Sequence, residues 1–279
     1  MKRPVLLTLA LTLTAAAAQD ASVTKTGVIS LTVTRMNIPG ANVSTFVGAT
    51  AIFQRLSGPT GTFATGSTWG GLADTCAVLQ SKDVTNASAA VGPQSSTPGA
   101  DPASLDAGDP ITLRSGHATY ATLTRRASGN LVTYTTLTPV LPPPPASLVA
   151  DVPGTPDGFP AFTGAAFPSS APIRVLQPEH GANVEPGTVF TWANATHDPS
   201  VRVLLTGAQQ VGSSSVIFTC FARDDGSFAF PDATRKELGA KGFTQGHLLS
   251  AGRTLSRSVR QGDALLTLNV TDLQMFAGR

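Results

Sequence analysis

The stretch Ile29-Ser30-Leu31-Thr32-Val33-Thr34 sets three bulky apolar side chains against three hydroxyls at a period of two. A helix would scatter these residues around its circumference. An extended strand sorts them onto two faces, one for a core and one for water. The same habit recurs along the chain, at residues 45–56, 75–79, 111–113, 118–124 and 131–137, and again at 189–192, 201–206, 216–222, 228–230, 248–255 and 264–270. Turn residues separate these runs at the spacing of an antiparallel sandwich. Asp225-Gly226 marks a tight hairpin, because both residues tolerate the positive φ such turns need. One short helix is predicted over 231–238, with Asp232 near its start as a cap.

Two segments interrupt this pattern. Residues 81–110 carry Ser, Ala, Gly, Pro and Asp with almost no large apolar residue and read as a long surface loop. Pro142 to Pro145 favour extended polyproline II, and further prolines at 153, 156, 160, 168 and 172 continue a non-helical connection punctuated by Phe159, Phe162 and Phe167. The expected fold is therefore all-β. It has two sandwich-like, immunoglobulin-like halves, residues 19–141 and 173–279, joined by a Pro-rich linker over 142–172.

The N-terminus reads as a secretory leader over 1–18. Lys2 and Arg3 precede an apolar run from Val5 to Thr14 and small residues from Ala15 to Ala18. No later segment approaches the roughly 20 apolar residues of a membrane helix. The chain carries 19 basic and 17 acidic groups, and loss of Lys2 and Arg3 with the leader leaves the mature protein formally neutral. Without a basic stripe, nucleic acid is excluded as the expected partner. The expected location is the cell surface, outer envelope or periplasm. Cys76 and Cys220, the only two cysteines, would enter an oxidising compartment where they can pair as a disulfide; the other reading is a small buried hydrophobe in each core.

Chemistry-bearing motifs are sparse. There is no Gly-x-Ser-x-Gly, His-Glu-x-x-His, phosphate-binding glycine loop or Cys-x-x-Cys, and Glu179, Glu185 and Glu237 are the only glutamates. Asp224, Asp225 and Asp232 lack the spacing of a calcium loop, and Asp106 and Asp109 flank a bend at Gly108, so all five read as turn residues. The four histidines, His117, His180, His197 and His247, are of a type that suits copper or zinc, although each lies in a loop-like context. Trp69, Trp192, Tyr120 and Tyr134 are the aromatics from which a carbohydrate platform would be built.

At Cys76, Leu105-Asp106-Ala107-Gly108-Asp109, Phe159-Pro160-Ala161-Phe162, Phe190-Thr191-Trp192 and residues 220–231 the chain resembles exported bacterial β-proteins of unassigned function. That resemblance implies a fold and export, and no reaction. The order His180, His197, His247 is similar to the histidine spacing of copper-zinc and copper-only superoxide dismutases, which are also antiparallel sandwiches. Those enzymes place a His-x-His pair on one strand, whereas Ala182 follows His180 here, so His117 would have to supply a ligand. The chain also resembles an accessory subunit of the surface-layer complex of radiation-resistant bacteria, a group for which a copper-only dismutase has been proposed. The first expectation is a non-enzymatic envelope or surface-layer protein that binds other envelope proteins or its own copies. A copper dismutase, with Arg253 or Arg257 drawing in superoxide, is the alternative, and a carbohydrate-binding module is the second.

Overall fold

The computed structural model describes residues 23–37, 44–56, 73–81, 103–136, 141–169, 172–179 and 182–276. The leader, most of the 81–110 loop, Trp69 and His180 lie outside the described residues. Among the described residues the chain is all-β with one short helix. The first strands are β1 (Lys25–Asn37), β2 (Ser44–Arg55), β3 (Thr75–Ser81), β4 (Ala103–Ser104), β5 (Ile111–Ser115), β6 (Ala118–Ser128) and β7 (Leu131–Thr136). They are followed by β8 (Val149–Val152), β9 (Phe162–Ala166), β10 (Arg174–Gln177), β11 (Asn183–Val184), β12 (Val189–Ala193), β13 (Arg202–Val211) and β14 (Ser214–Arg223). β15 (Ser227–Ala229), the helix α1 (Asp232–Ala240), β16 (Gly246–Gln261) and β17 (Ala264–Phe276) complete the chain.

One sheet runs β3-β14-β13-β16-β17-β1-β2-β7-β6-β5-β8-β9, with β4 beside β2 and β11 beside β16; β10, β12 and β15 form a second, small sheet. The alternation that opens the sequence sits at its centre. Ile29, Leu31 and Val33 are buried and face Ala51, Ala49 and Val47 of β2 in register, so that Ile29 and Leu31 meet small alanines and Val33 meets a valine. Where the ring of Phe53 crosses β1, the chain has Gly27, whose absent Cβ would lie 2.4 Å from that ring. On its other edge β1 pairs in parallel with β17, Leu31 against Val270 and Ile29 against Leu268. Parallel neighbours need a long crossover rather than a hairpin, and here the crossover is nearly the whole protein.

Two apolar clusters line the sheet. The first gathers β1, β2, β5 to β9 and the start of β17, around Phe53, Tyr134, Phe159, Phe162 and Leu266. The second gathers β3, β10 to β16 and α1, around Phe190, Trp192, Phe218, Phe230, Leu238 and Phe243. The boundary differs from the expected one in two places. Residues 142–172, expected as a linker, contain β8 and β9, which extend the large sheet and bury Ala150, Val152, Phe162 and Ala165. Prolines frame these short strands instead of occupying them, so the segment keeps its ladder hydrogen bonds at the sheet margin. In addition, β17 contributes Leu266, Leu268 and Val270 to the first cluster, and β3 contributes Val78 to the second.

The disulfide pairing is the one of the two cysteine readings found. Cys76 and Cys220 are bonded, are register partners on β3 and β14, and have Cα atoms 4.0 Å apart. None of the described helices is long and apolar enough to cross a membrane.

Candidate functional site

β16 and β17 are long enough to pass through both clusters, and a charge lies on each strand between them. On β16, Arg253 separates Ala251 of the second cluster from Val259, which packs on the first. On β17, Asp272 separates Val270 of the first cluster from Phe276, which packs on the second. The two charged residues are register partners. Arg35 on β1 reaches Asp272 with two parallel bonds, Nε to Oδ1 at 3.0 Å and Nη2 to Oδ2 at 2.7 Å, a planar fork that matches a carboxylate. A charged seam thus crosses the sheet between its two cores.

The seam ends at the most enclosed charge pair among the described residues. Asp224 follows β14, where the chain turns into β15, and is 1% exposed, as is Arg253. Their side chains meet with Nε 2.9 Å from Oδ2 and Nη2 3.0 Å from Oδ1. The carboxylate also accepts from Trp192 Nε1 at 2.8 Å, Thr196 N at 2.9 Å and Thr196 Oγ1 at 2.7 Å. Arg253 Nη2 donates in addition to the Asn194 carbonyl at 2.8 Å and Nη1 to the Pro172 carbonyl at 3.4 Å. Asn194 and His197 take left-handed φ values of 59° and 55°, and within the loop so folded the His197 N–H reaches the Asp224 carbonyl at 2.9 Å. Burial works to raise the Asp224 carboxyl, but hydrogen bonds from Thr196, Arg253 and Trp192 outweigh it and hold the group below the ordinary carboxylate range. Chemically this is an ionised carboxylate sealed by donors. It clamps the small sheet, through Trp192, to β16 of the large one.

A second cluster explains the Leu105-Asp106-Ala107-Gly108-Asp109 run. Tyr134, fully buried, donates to Asp106 Oδ1 at 2.8 Å and accepts from the Ala107 N–H at 2.8 Å, while Arg125 lies 3.0 Å from the other Asp106 oxygen. Burial pushes the Tyr134 phenol up to about 12, reinforced by the Asp106 carboxylate. The Asp106 carbonyl accepts from Phe159 N and Thr155 Oγ1, which buttons the turn onto the loop before β9. The two sequence runs singled out by resemblance, 105–109 and 159–162, are therefore contact partners.

The histidines take separate positions. His117 is exposed in the β5–β6 turn, His197 is exposed in the loop after β12, and His247 is half-buried on β16 beside Asn183 of β11. His180 lies outside the described residues. Among the described residues no three His, Cys, Asp or Glu side chains come together as a metal centre. Arg257 is exposed on β16, whereas Arg253 is enclosed and ion-paired, which corrects its reading as a cation that steers superoxide: a buried charge neutralised by its carboxylate partner exerts no such pull. Of the four aromatics read as a carbohydrate platform, Trp192 and Tyr134 are buried in the two cores, Tyr120 is half-buried with its hydroxyl donating to the Pro142 carbonyl at 2.6 Å, and Trp69 lies outside the described residues. Of the aspartates read as turn residues, Asp225 caps the Ser227 N–H at 3.3 Å and Asp232 pairs with Arg235, both at the surface.

Asp224, by contrast, is a core anchor that its turn context concealed. Its partner carried the legible signal: an arginine inside the apolar 248–255 run, like Asp272 just after 264–270, implies a buried counter-charge. Comparison with protein-family models, curated proteins and solved structures returns no match for this chain.

Proposed function

We propose that the chain is an exported structural or binding component of the bacterial cell envelope, associated with a surface layer, whose sheet is a rigid scaffold for contacts with other envelope proteins. The observation that carries this reading is the Cys76–Cys220 bond between directly opposed strand residues. Such bonds persist in oxidising compartments and are rare where glutathione keeps thiols reduced. The sealed Asp224–Arg253 pair supports a structural role, since every donor and acceptor around that carboxylate is directed inward to another part of the fold. The two apolar clusters favour two sandwich-like lobes that share β16 and β17, in place of two independent halves on a tether.

The test is fractionation of the native cells, with non-reducing peptide mapping of the recovered protein and cross-linking in intact envelopes. The expected result is protein in the envelope fraction, bridged between Cys76 and Cys220 and cross-linked to surface-layer components. Cytosolic protein with both thiols free would overturn the proposal.

A further inference from the structure

Among the described strands β3 lies at the end of the large sheet, and its described partners are on β14 and just after α1. It pairs with β14 from Thr75 to Ser81, and Cys76 bonds Cys220. Just before it, Asp74 N–H donates to the Phe221 carbonyl at 2.7 Å and Asp74 meets Arg223 at 3.1 Å. Lys241, after α1, donates to the Val78 carbonyl at 2.5 Å. Yet the strands that flank β3 in sequence, β2 and β4, pair with each other on the far side of the sheet. In the order β3-β14-β13-β16-β17-β1-β2, six strand spacings separate β3 from β2. At about 4.8 Å per spacing, that is about 29 Å.

Residues 56–74 lead into β3 and residues 82–102 lead out of it. At roughly 3.4 Å per residue either segment reaches at most about 65 to 70 Å, more than twice what the fold requires. Nothing in these lengths ties β3 to the β14 of its own chain. As an edge strand it can also leave without breaking any interior ladder, and an identical β3 from another molecule would restore the same register, bond and ion pair.

From these observations we infer that β3 is an exchangeable strand whose alternative acceptor is a second copy of this chain. β3 of each molecule occupies the β14 edge of the other, in a reciprocal dimer closed by two Cys76–Cys220 bridges between chains. Such swaps keep every interface contact and differ only in which chain supplies the strand. Two intramolecular disulfides become two intermolecular ones, so the exchange has no net redox change. Concentration decides between the forms, because the covalent connection gives the internal β3 an effective concentration, on the order of millimolar for linked segments. Crowded copies in an ordered surface array would meet that condition.

The experiment uses the full-length wild-type protein, half of it 15N-labelled. The two preparations are reduced, mixed in denaturant, refolded and reoxidised with glutathione disulfide at protein concentrations from about 1 μM to about 1 mM, spanning the effective-concentration range. Each Cys76–Cys220 pair gives two electrons and two protons to one glutathione disulfide, releasing two glutathione molecules. The expected products at high concentration are a covalent dimer and bridged Cys76–Cys220 peptides of mixed isotope, approaching half of all bridged peptides and disappearing on dilution. In the folded chain Cys220 is fully buried opposite Cys76 of β3, so the mixed-isotope bridge is scored in dimer that resists urea as the monomer does, which a β3 seated on the other chain's β14 edge provides. Single-isotope Cys76–Cys220 peptides throughout would overturn the inference, as would mixed peptides that join Cys76 to Cys76 or Cys220 to Cys220.

Discussion

Replacing Asp224 with Ala removes the acceptor of five contacts: those from Trp192 Nε1, Thr196 N, Thr196 Oγ1, and the Nε and Nη2 of Arg253. The Arg253 guanidinium stays buried, still donating to the Asn194 and Pro172 carbonyls but deprived of the carboxylate it forks onto. Breaking one side of a buried, hydrogen-bonded pair costs about 3 to 5 kcal/mol, most of it from the stranded charge. For a protein of this size that corresponds to a fall in Tm of roughly 6 to 20 °C. Asp224→Asn keeps the shape and one acceptor, and the expected loss is about half as large. Thermal and urea unfolding followed by circular dichroism and Trp192 fluorescence measure both. Because the folded carboxyl titrates below its unfolded value of about 3.9, its stabilising contribution is complete above that pH and is lost as pH falls through the folded value. The gap between wild type and Asp224→Asn should therefore narrow below about pH 4. A loss under about 1 kcal/mol for Asp224→Ala at neutral pH, or a gap independent of pH, would refute the assignment of this pair as the clamp between the sheets.

Three further outcomes follow from the geometry. Reducing the Cys76–Cys220 bond frees a loop with a sequence separation of 144, for which the chain-entropy model gives at most about 5 kcal/mol; the urea midpoint in reductant should drop accordingly, and an unchanged midpoint would contradict the clamp. Tyr134→Phe leaves the Ala107 N–H without its acceptor and should cost about 1 to 3 kcal/mol. In the wild type, with its phenol at about 12, Tyr134 should ionise at 295 nm only far above pH 10, and its stabilising contribution is lost between about pH 10 and 12. Gly158→Ala would put a Cβ 2.0 Å from the Asp106 carbonyl oxygen, so the 105–109 turn and the loop before β9 must separate, at about 1 to 3 kcal/mol; melting indistinguishable from wild type would show that the two runs are not in contact.

What the sequence by itself determined is local. A period of two needs only neighbouring residues, and so β1 to β3, β5 to β7, β12 to β17 and the helix α1 were legible as elements, as was the pairing capacity of two cysteines in an exported chain. What only the tertiary structure decided is which strand lies beside which. The parallel β1–β17 pair and the β3–β14 pair join residues more than 130 positions apart, and no local pattern encodes a partner at that distance. The Pro-rich 142–172 segment was misread because proline content reports backbone preference, while β8 and β9 owe their place to the sheet edge they extend. Arg253 was misread for a related reason. A sequence states that a residue carries a charge, but whether that charge meets water or a buried carboxylate depends on what folds over it, and here Asp224 and Trp192 do.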